Sequence, residues 1–136
     1  MNSLAHVEIN VSDLEKSVSF YERVLIPLAW EKVVIDPNQI IGFKAPDKTH
    51  IWLVQTEPKY LENQYHRKNI GVNHLALRLD SKEAVNTVTE ELAKNGVKTL
   101  YTRGPKDYSN EYHMDEYYAV FFEDPDRIKL EIVYLK

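Results

Sequence analysis

Two histidines and one glutamate, His6, His74 and Glu131, are the residues whose types and placement could do chemistry together in this chain. Imidazole and carboxylate are the donors of two-His, one-carboxylate sites, which hold one first-row divalent ion and leave positions open for substrate or oxygen. The chain has no cysteine, so any metal must be held by nitrogen and oxygen, and disulfides are ruled out. Taken singly, a histidine on a strand is more often a hydrogen-bonded core or surface residue, and a glutamate a solvated one. The case for the three as a set rests on a repeat.

Sliding the chain so that His6 lies over His74 brings Val7, Ile9 and Val11 onto Leu75, Leu77 and Leu79. Both copies alternate apolar and polar residues with period two, the pattern of a strand with one buried face. Ser12 then falls on Asp80 and Glu15 on Glu83, so each copy reads as a capping box at a helix start. Helical spacing follows, with Phe20 over Val88 and Val24 over Leu92. The first helix stops before Pro27 and the second at Asn95-Gly96. At a larger offset Phe43, Pro46, Asp47, Ile51, Leu53 and Val54 fall on Phe122, Pro125, Asp126, Leu130, Ile132 and Val133. Each set is a strand, a Pro-Asp turn and a strand. The offset grows because the second copy has a longer loop, roughly 104–117.

The expected order is strand 3–11, helix 13–26 and strands near 29–35, 39–45 and 49–55. Strand 71–79, helix 81–95 and strands near 98–103, 117–123 and 128–135 repeat it. Residues 1–55 are then a first βαβββ module, 56–69 a polar surface linker and 70–136 a second module, within one domain over 1–136. A sheet covered on one side by a helix leaves its other side bare. The expected fold class is therefore α+β, two paired modules forming a half-barrel sheet with an enclosed cleft.

Strand parity decides what faces that cleft. Val7, Ile9 and Val11 pack on the helix, so His6 faces away, and the same holds for His74 beside Leu75 and Leu77. Leu130 and Ile132 share the helix side, which leaves Glu131 on the histidine side, and its counterpart in the first copy is Trp52. Pseudo-twofold symmetry then gathers positions 6, 52, 74 and 131. Glu8 shares the parity of His6 and either lines the cleft or pairs with a surface lysine. Trp52 either stacks on substrate or fills core. His113 and Tyr118, in and beside the late loop, are candidates for an acid or hydrogen-bond donor on a lid, a solvated loop being the alternative. His50 and His66 read as surface residues, and Arg127 has no account at this stage.

Composition excludes other classes. A net charge of −4 with interspersed signs argues against a nucleic-acid partner. No apolar run is long enough to span a membrane. The start, Met-Asn-Ser-Leu-Ala-His, carries no export signal, and a cytoplasmic location is expected.

Ala5-His6-Val7, Ser12-Asp13-Leu14-Glu15-Lys16-Ser17, Phe20-Tyr21, Asn73-His74-Leu75-Ala76-Leu77, Phe122-Glu123-Asp124-Pro125-Asp126 and Lys129-Leu130-Glu131 together resemble the vicinal oxygen chelate superfamily. That superfamily holds glyoxalase I, extradiol dioxygenases, fosfomycin-resistance enzymes and bleomycin-binding proteins. The resemblance covers nearly the whole chain and implies paired βαβββ modules, one divalent metal ion in the cleft and a homodimer. Glyoxalase I carries a second glutamate at the position of Trp52, and an indole neither ligates nor acts as a base, which disfavours that activity. Fosfomycin thiol transferases share the His, Trp, His, Glu order. A phosphonate, however, wants cations beside the metal, whereas the loop here supplies Glu111, Asp115 and Glu116. Bleomycin-type binders usually lack the metal ligands. The reading is a metal-dependent enzyme that chelates a small oxygenated substrate on iron, manganese, zinc or nickel. Ring-opening dioxygenation leads over group transfer and isomerisation. The alternative is a protein that binds or sequesters a small molecule without turnover.

Overall fold

Alternation of apolar and polar residues becomes sheet in both halves of the chain. The computed structural model describes residues 3–136, and these fall into two compact units that meet between Gln64 and Tyr65 in the chain. Each unit is α+β and runs strand, helix, strands.

In the first unit β1 (His6–Val11) leads into α1 (Leu14–Leu25), followed by β2 (Glu31–Asp36), β3 (Ile40–Lys44) and β4 (His50–Gln55). The sheet order is β1-β4-β3-β2, with β1 parallel to β4 and the other pairs antiparallel. Ile9, Val11, Ile41, Phe43, Ile51 and Leu53 are buried, the odd-numbered set that period two assigns to one face. Leu14, Val18, Tyr21 and Val24 of α1, at helical spacing, are buried with them, and the Tyr21 ring lies 6.4 Å from that of Phe43. Full burial of each large apolar side chain is worth roughly 1.5–3 kcal/mol.

The second unit has β5 (Leu75–Arg78), α2 (Lys82–Lys94), β6 (Thr99–Leu100), β7 (Lys106–Asp107), α3 (Ser109–Tyr112), β8 (Tyr117–Glu123) and β9 (Lys129–Leu135). Its order is β5-β9-β8-β6, with β7 also pairing β8. Val85, Val88 and Leu92 of α2 are buried, as are Val120, Phe122, Leu130 and Ile132 of the two long strands.

Both helix caps fall one residue later than the capping-box reading. Asp13, not Ser12, caps α1 by accepting from the Lys16 N–H at 3.0 Å. Ser81, not Asp80, caps α2 by accepting from the Ala84 N–H at 3.1 Å. The first N–H of a helix also needs an acceptor. For α1 it comes from β4, because Gln55 Oε1 takes the Leu14 N–H at 2.9 Å while Gln55 Nε2 donates to the Ser12 carbonyl at 3.0 Å.

Three expected strands are clearly shorter in the structure, the first of them, expected at 3–11, beginning only at His6. The one expected near 98–103 stops at Leu100, because Tyr101 adopts φ +68°. Thr99 Oγ1 then donates to the Thr102 carbonyl at 2.5 Å, and Thr102 Oγ1 to that of Gly104 at 2.6 Å. The one expected at 71–79 begins at Leu75, where pairing with Leu130 near the start of β9 first becomes available. The late loop is not structureless: it folds back as β7 and α3 onto β8.

Candidate functional site

Glu131 is fully buried in the middle of β9, where a lone carboxylate would be costly. It is not alone. The Tyr117 hydroxyl donates to Oε1 at 2.6 Å, and His74 Nε2 lies 2.9 Å from Oε2. Nδ1 of the same ring meets Asn73 Oδ1 at 2.7 Å, and the ring edge packs on Phe121 with centroids 5.9 Å apart. Both ring nitrogens of His74 thus face oxygens. A neutral imidazole carries one N–H, so one ring nitrogen donates and the other accepts, the Asn73 amide being turned to suit, or a metal ion takes the place of one contact. Burial first, and the bond to Glu131 second, push the Tyr117 phenol well above its ordinary range, which keeps it a donor.

Parity positions this group. Glu131 and Val133 of β9 share a face with Tyr117, Ala119 and Phe121 of β8, and the register sets Phe121 directly opposite Glu131. The excursion through β7 and α3 lays Tyr108 and Tyr112 against that face. The Tyr112 and Tyr117 rings are 4.5 Å apart, and Tyr108 meets Phe121 at 5.6 Å. Burial, then the charge of Glu131, also push the Tyr112 phenol upward.

Of the two candidate donors for the lid, Tyr118 lies on the helix side, where its hydroxyl donates to Asn86 of α2 at 2.8 Å. His113 is exposed at the end of α3 with φ +53°. Their neighbour Tyr117 is the hydroxyl that reaches Glu131. Tyr117, Ala119 and Phe121 alternate with the helix-side residues, so strand parity alone could have found it. Tyr108 had no such signal, because it enters from the excursion.

In the first unit His6 is exposed on β1, opposite His50 of β4 in the register, and Glu8 is exposed opposite Trp52. Trp52 is half-buried and covers Gly42, so close that a Cβ there would stand 2.2 Å from the indole. The His50 ring, read from sequence as a surface residue, stacks on Trp52 with centroids 5.1 Å apart and planes within 8°. His66 is exposed and accepts the Lys68 N–H at 3.2 Å. Arg127 gains an account: it takes the left-handed corner of the Asp124–Ile128 turn at φ +63° and directs Nε to Glu123 Oε2 at 3.5 Å.

Among the described residues no group of three or more His, Asp or Glu side chains is gathered closely enough to hold a metal. The chemistry of the pair in the second unit still fits one. An imidazole nitrogen and a carboxylate oxygen 2.9 Å apart are donors of the kind that would hold a first-row divalent ion. Tyr117 and Asn73, bonded to the far sides of these ligands, are the outer partners such sites use to orient them.

The glyoxalase/bleomycin resistance protein/dioxygenase superfamily model matches residues 3–132. The uncharacterised protein YqjT of Bacillus subtilis (strain 168) is 39% identical over 128 residues, 94% of this chain and 95% of that protein. The crystal structure of a glyoxalase candidate from Bacillus halodurans is 37% identical with a TM-score of 0.80, covering 96% of this chain and 94% of that one. The fosfomycin resistance protein FosX of Listeria monocytogenes shares the fold at a TM-score of 0.71 and 18% identity, covering 100% of this chain and 95% of its own.

Proposed function

Since the chain belongs to the glyoxalase/bleomycin resistance protein/dioxygenase superfamily, we propose that it is a metal-dependent enzyme acting on a small oxygenated substrate. His6, His74 and Glu131 are its metal ligands in this reading. The observation that carries it is the 2.9 Å approach of His74 Nε2 to a fully buried carboxylate.

When bound, the ion (iron, manganese, zinc or nickel) supplies Lewis acidity to adjacent substrate oxygens. The chain's own residues prepare the place. Asn73 fixes the plane of the His74 ring through Nδ1, and Tyr117 holds Glu131 Oε1 so that the carboxylate cannot swing away. Tyr108, Tyr112 and Phe121 form an apolar wall that keeps water from the carboxylate. Trp52, with Gly42 beneath it and His50 stacked on it, gives the cleft an aromatic side wall, and Glu8 stands opposite it in the register as a further cleft residue. Ring-opening oxygenation leads because two imidazoles and one carboxylate leave room for both a substrate and oxygen. A homodimer belongs to the same reading and is checked by light scattering.

One observation favours a second reading, a protein that binds or sequesters a small molecule without turnover. Both oxygens of Glu131 already have protein partners under the tyrosine wall. A turnover screen separates the two. Catechols, epoxides and α-keto thiol adducts are offered to metal-loaded protein with and without oxygen, beside Glu131→Gln. Turnover lost in the variant supports the enzyme; saturable binding without product supports the binder.

A further inference from the structure

The metal reading leaves one cluster of the second unit unused. Lys129 stands two residues before Glu131 on β9, on the same face, and opposite Glu123 in the register. Glu123 does not pair with it. Its carboxylate is held by Arg67, through a short contact of Nη1 to Oε1, and by Arg127 at 3.5 Å. Among the described residues no carboxylate forms an ion pair with Lys129. Its Nζ lies instead over the rings of Phe121 at 4.6 Å and Tyr101 at 5.0 Å. Glu123 is thus shared by Arg67 and Arg127, and Lys129 and Arg67 both reach the Tyr101 phenol. Hydrogen bonding to Lys129 first, with Arg67 contributing, draws that phenol below its ordinary range, the mark of a spot that favours negative charge.

The backbone holds the spot in place. Tyr101 adopts φ +68°, a conformation a bulky residue rarely takes and which costs of order 1–3 kcal/mol. The Thr99 and Thr102 hydroxyls lock the turn. The residue remains 67% exposed, so the phenol is open to a ligand.

We propose that Lys129, Arg67 and the Tyr101 hydroxyl form a subsite for an anionic group of the substrate, a carboxylate or a phosphate, one pleat along β9 from Glu131. The assignment of this face to substrate rests on the function proposed above. Residues two apart on a strand are about 7 Å apart, so chelated oxygens at Glu131 and an anionic group at Lys129 fit within one small molecule. Lys129 supplies the unpaired charge and Tyr101 a hydroxyl donor, while Arg67 keeps Glu123 from competing for the ammonium.

The test uses the full chain stripped of metal, so that it does not depend on metal uptake. Inorganic phosphate and malonate are titrated separately at constant ionic strength, and backbone amide shifts are followed by NMR. The expected result is a saturable millimolar response around residues 101 and 129 for at least one of the two. The anion that saturates names the group. Lys129→Met, which keeps the packed stem, weakens binding about tenfold or more. Lys129→Arg retains it, and Lys32→Met in the first unit leaves it unchanged. A wild type with no saturable response to either anion overturns the proposal. So does a loss in Lys129→Arg as large as in Lys129→Met, because charge would then not be the determinant. Anion binding in a protein that takes up no metal leaves the subsite standing and removes the metal reading; metal uptake without anion binding does the reverse.

Discussion

Tyr117 donates its hydroxyl to Oε1 of Glu131 at 2.6 Å, while His74 occupies the other oxygen at 2.9 Å. The carboxylate is therefore held from both sides inside the sheet that carries it. Its orientation belongs to β8, β9 and the segment before β5 together, and not to any one of them.

Removing the phenol should show in stability as well as in function. Tyr117→Phe leaves one oxygen of a buried carboxylate unsatisfied and should cost about 1–3 kcal/mol in urea unfolding. Loss of an outer partner should also weaken metal binding about 10–100-fold. An unchanged unfolding midpoint together with unchanged metal affinity would contradict the role given to Tyr117.

Tyr101 should be the tyrosine that ionises early. Lys129 and Arg67 hold its phenol below the ordinary value of about 10. The folded state then gives up this proton before the unfolded state does, so the group adds stability as pH rises from the lowered value toward about 10. A near-ultraviolet absorbance titration should lose its earliest tyrosine step in Tyr101→Phe. In Lys129→Met that step should move up.

Gly42 has no room for a side chain. An added Cβ would stand 2.2 Å from Trp52 Cε3 and 2.9 Å from the Ile51 carbonyl oxygen. Gly42→Ala should cost about 1–3 kcal/mol and change the Trp52 fluorescence in a Trp30→Phe background. Trp52→Ala should recover part of that loss in the double variant, since the indole is the nearer obstacle.

The helix caps give a local test. Ser81→Ala should cost about 1 kcal/mol of stability, whereas Asp80→Ala should stay within about 0.5 kcal/mol. Equal losses in the two, measured by chemical unfolding, would place the cap elsewhere.

Much of the fold was legible because period two and period 3.6 are written into both halves of the chain. The βαβββ order, the helix side of each long strand and the side of β9 on which Glu131 lies follow from alternation alone. The caps were misplaced by one residue in both copies, because Ser-Asp and Asp-Ser each put two capping residues side by side. What selects Asp13 for α1 is Gln55, distant in sequence, which holds both Ser12 and Leu14. The strand expected near 98–103 was cut short by the left-handed Tyr101, a conformation that composition does not announce. Tyr117 was within reach of the parity argument, but attention fell on its neighbours Tyr118 and His113. Arg67 was hidden by distance, since nothing in a polar stretch of chain tells which arginine will meet Glu123.

The most direct measurement is the metal content of protein purified without chelators or a histidine tag, beside His6→Ala, His74→Ala and Glu131→Gln. About one ion per chain in the wild type, lost in each variant, is the result expected if these three residues are the ligands. No uptake by the wild type after incubation with iron, manganese, zinc and nickel would contradict the account. It would leave His74 and Glu131 as a hydrogen-bonded pair, and the small-molecule binder as the function to pursue.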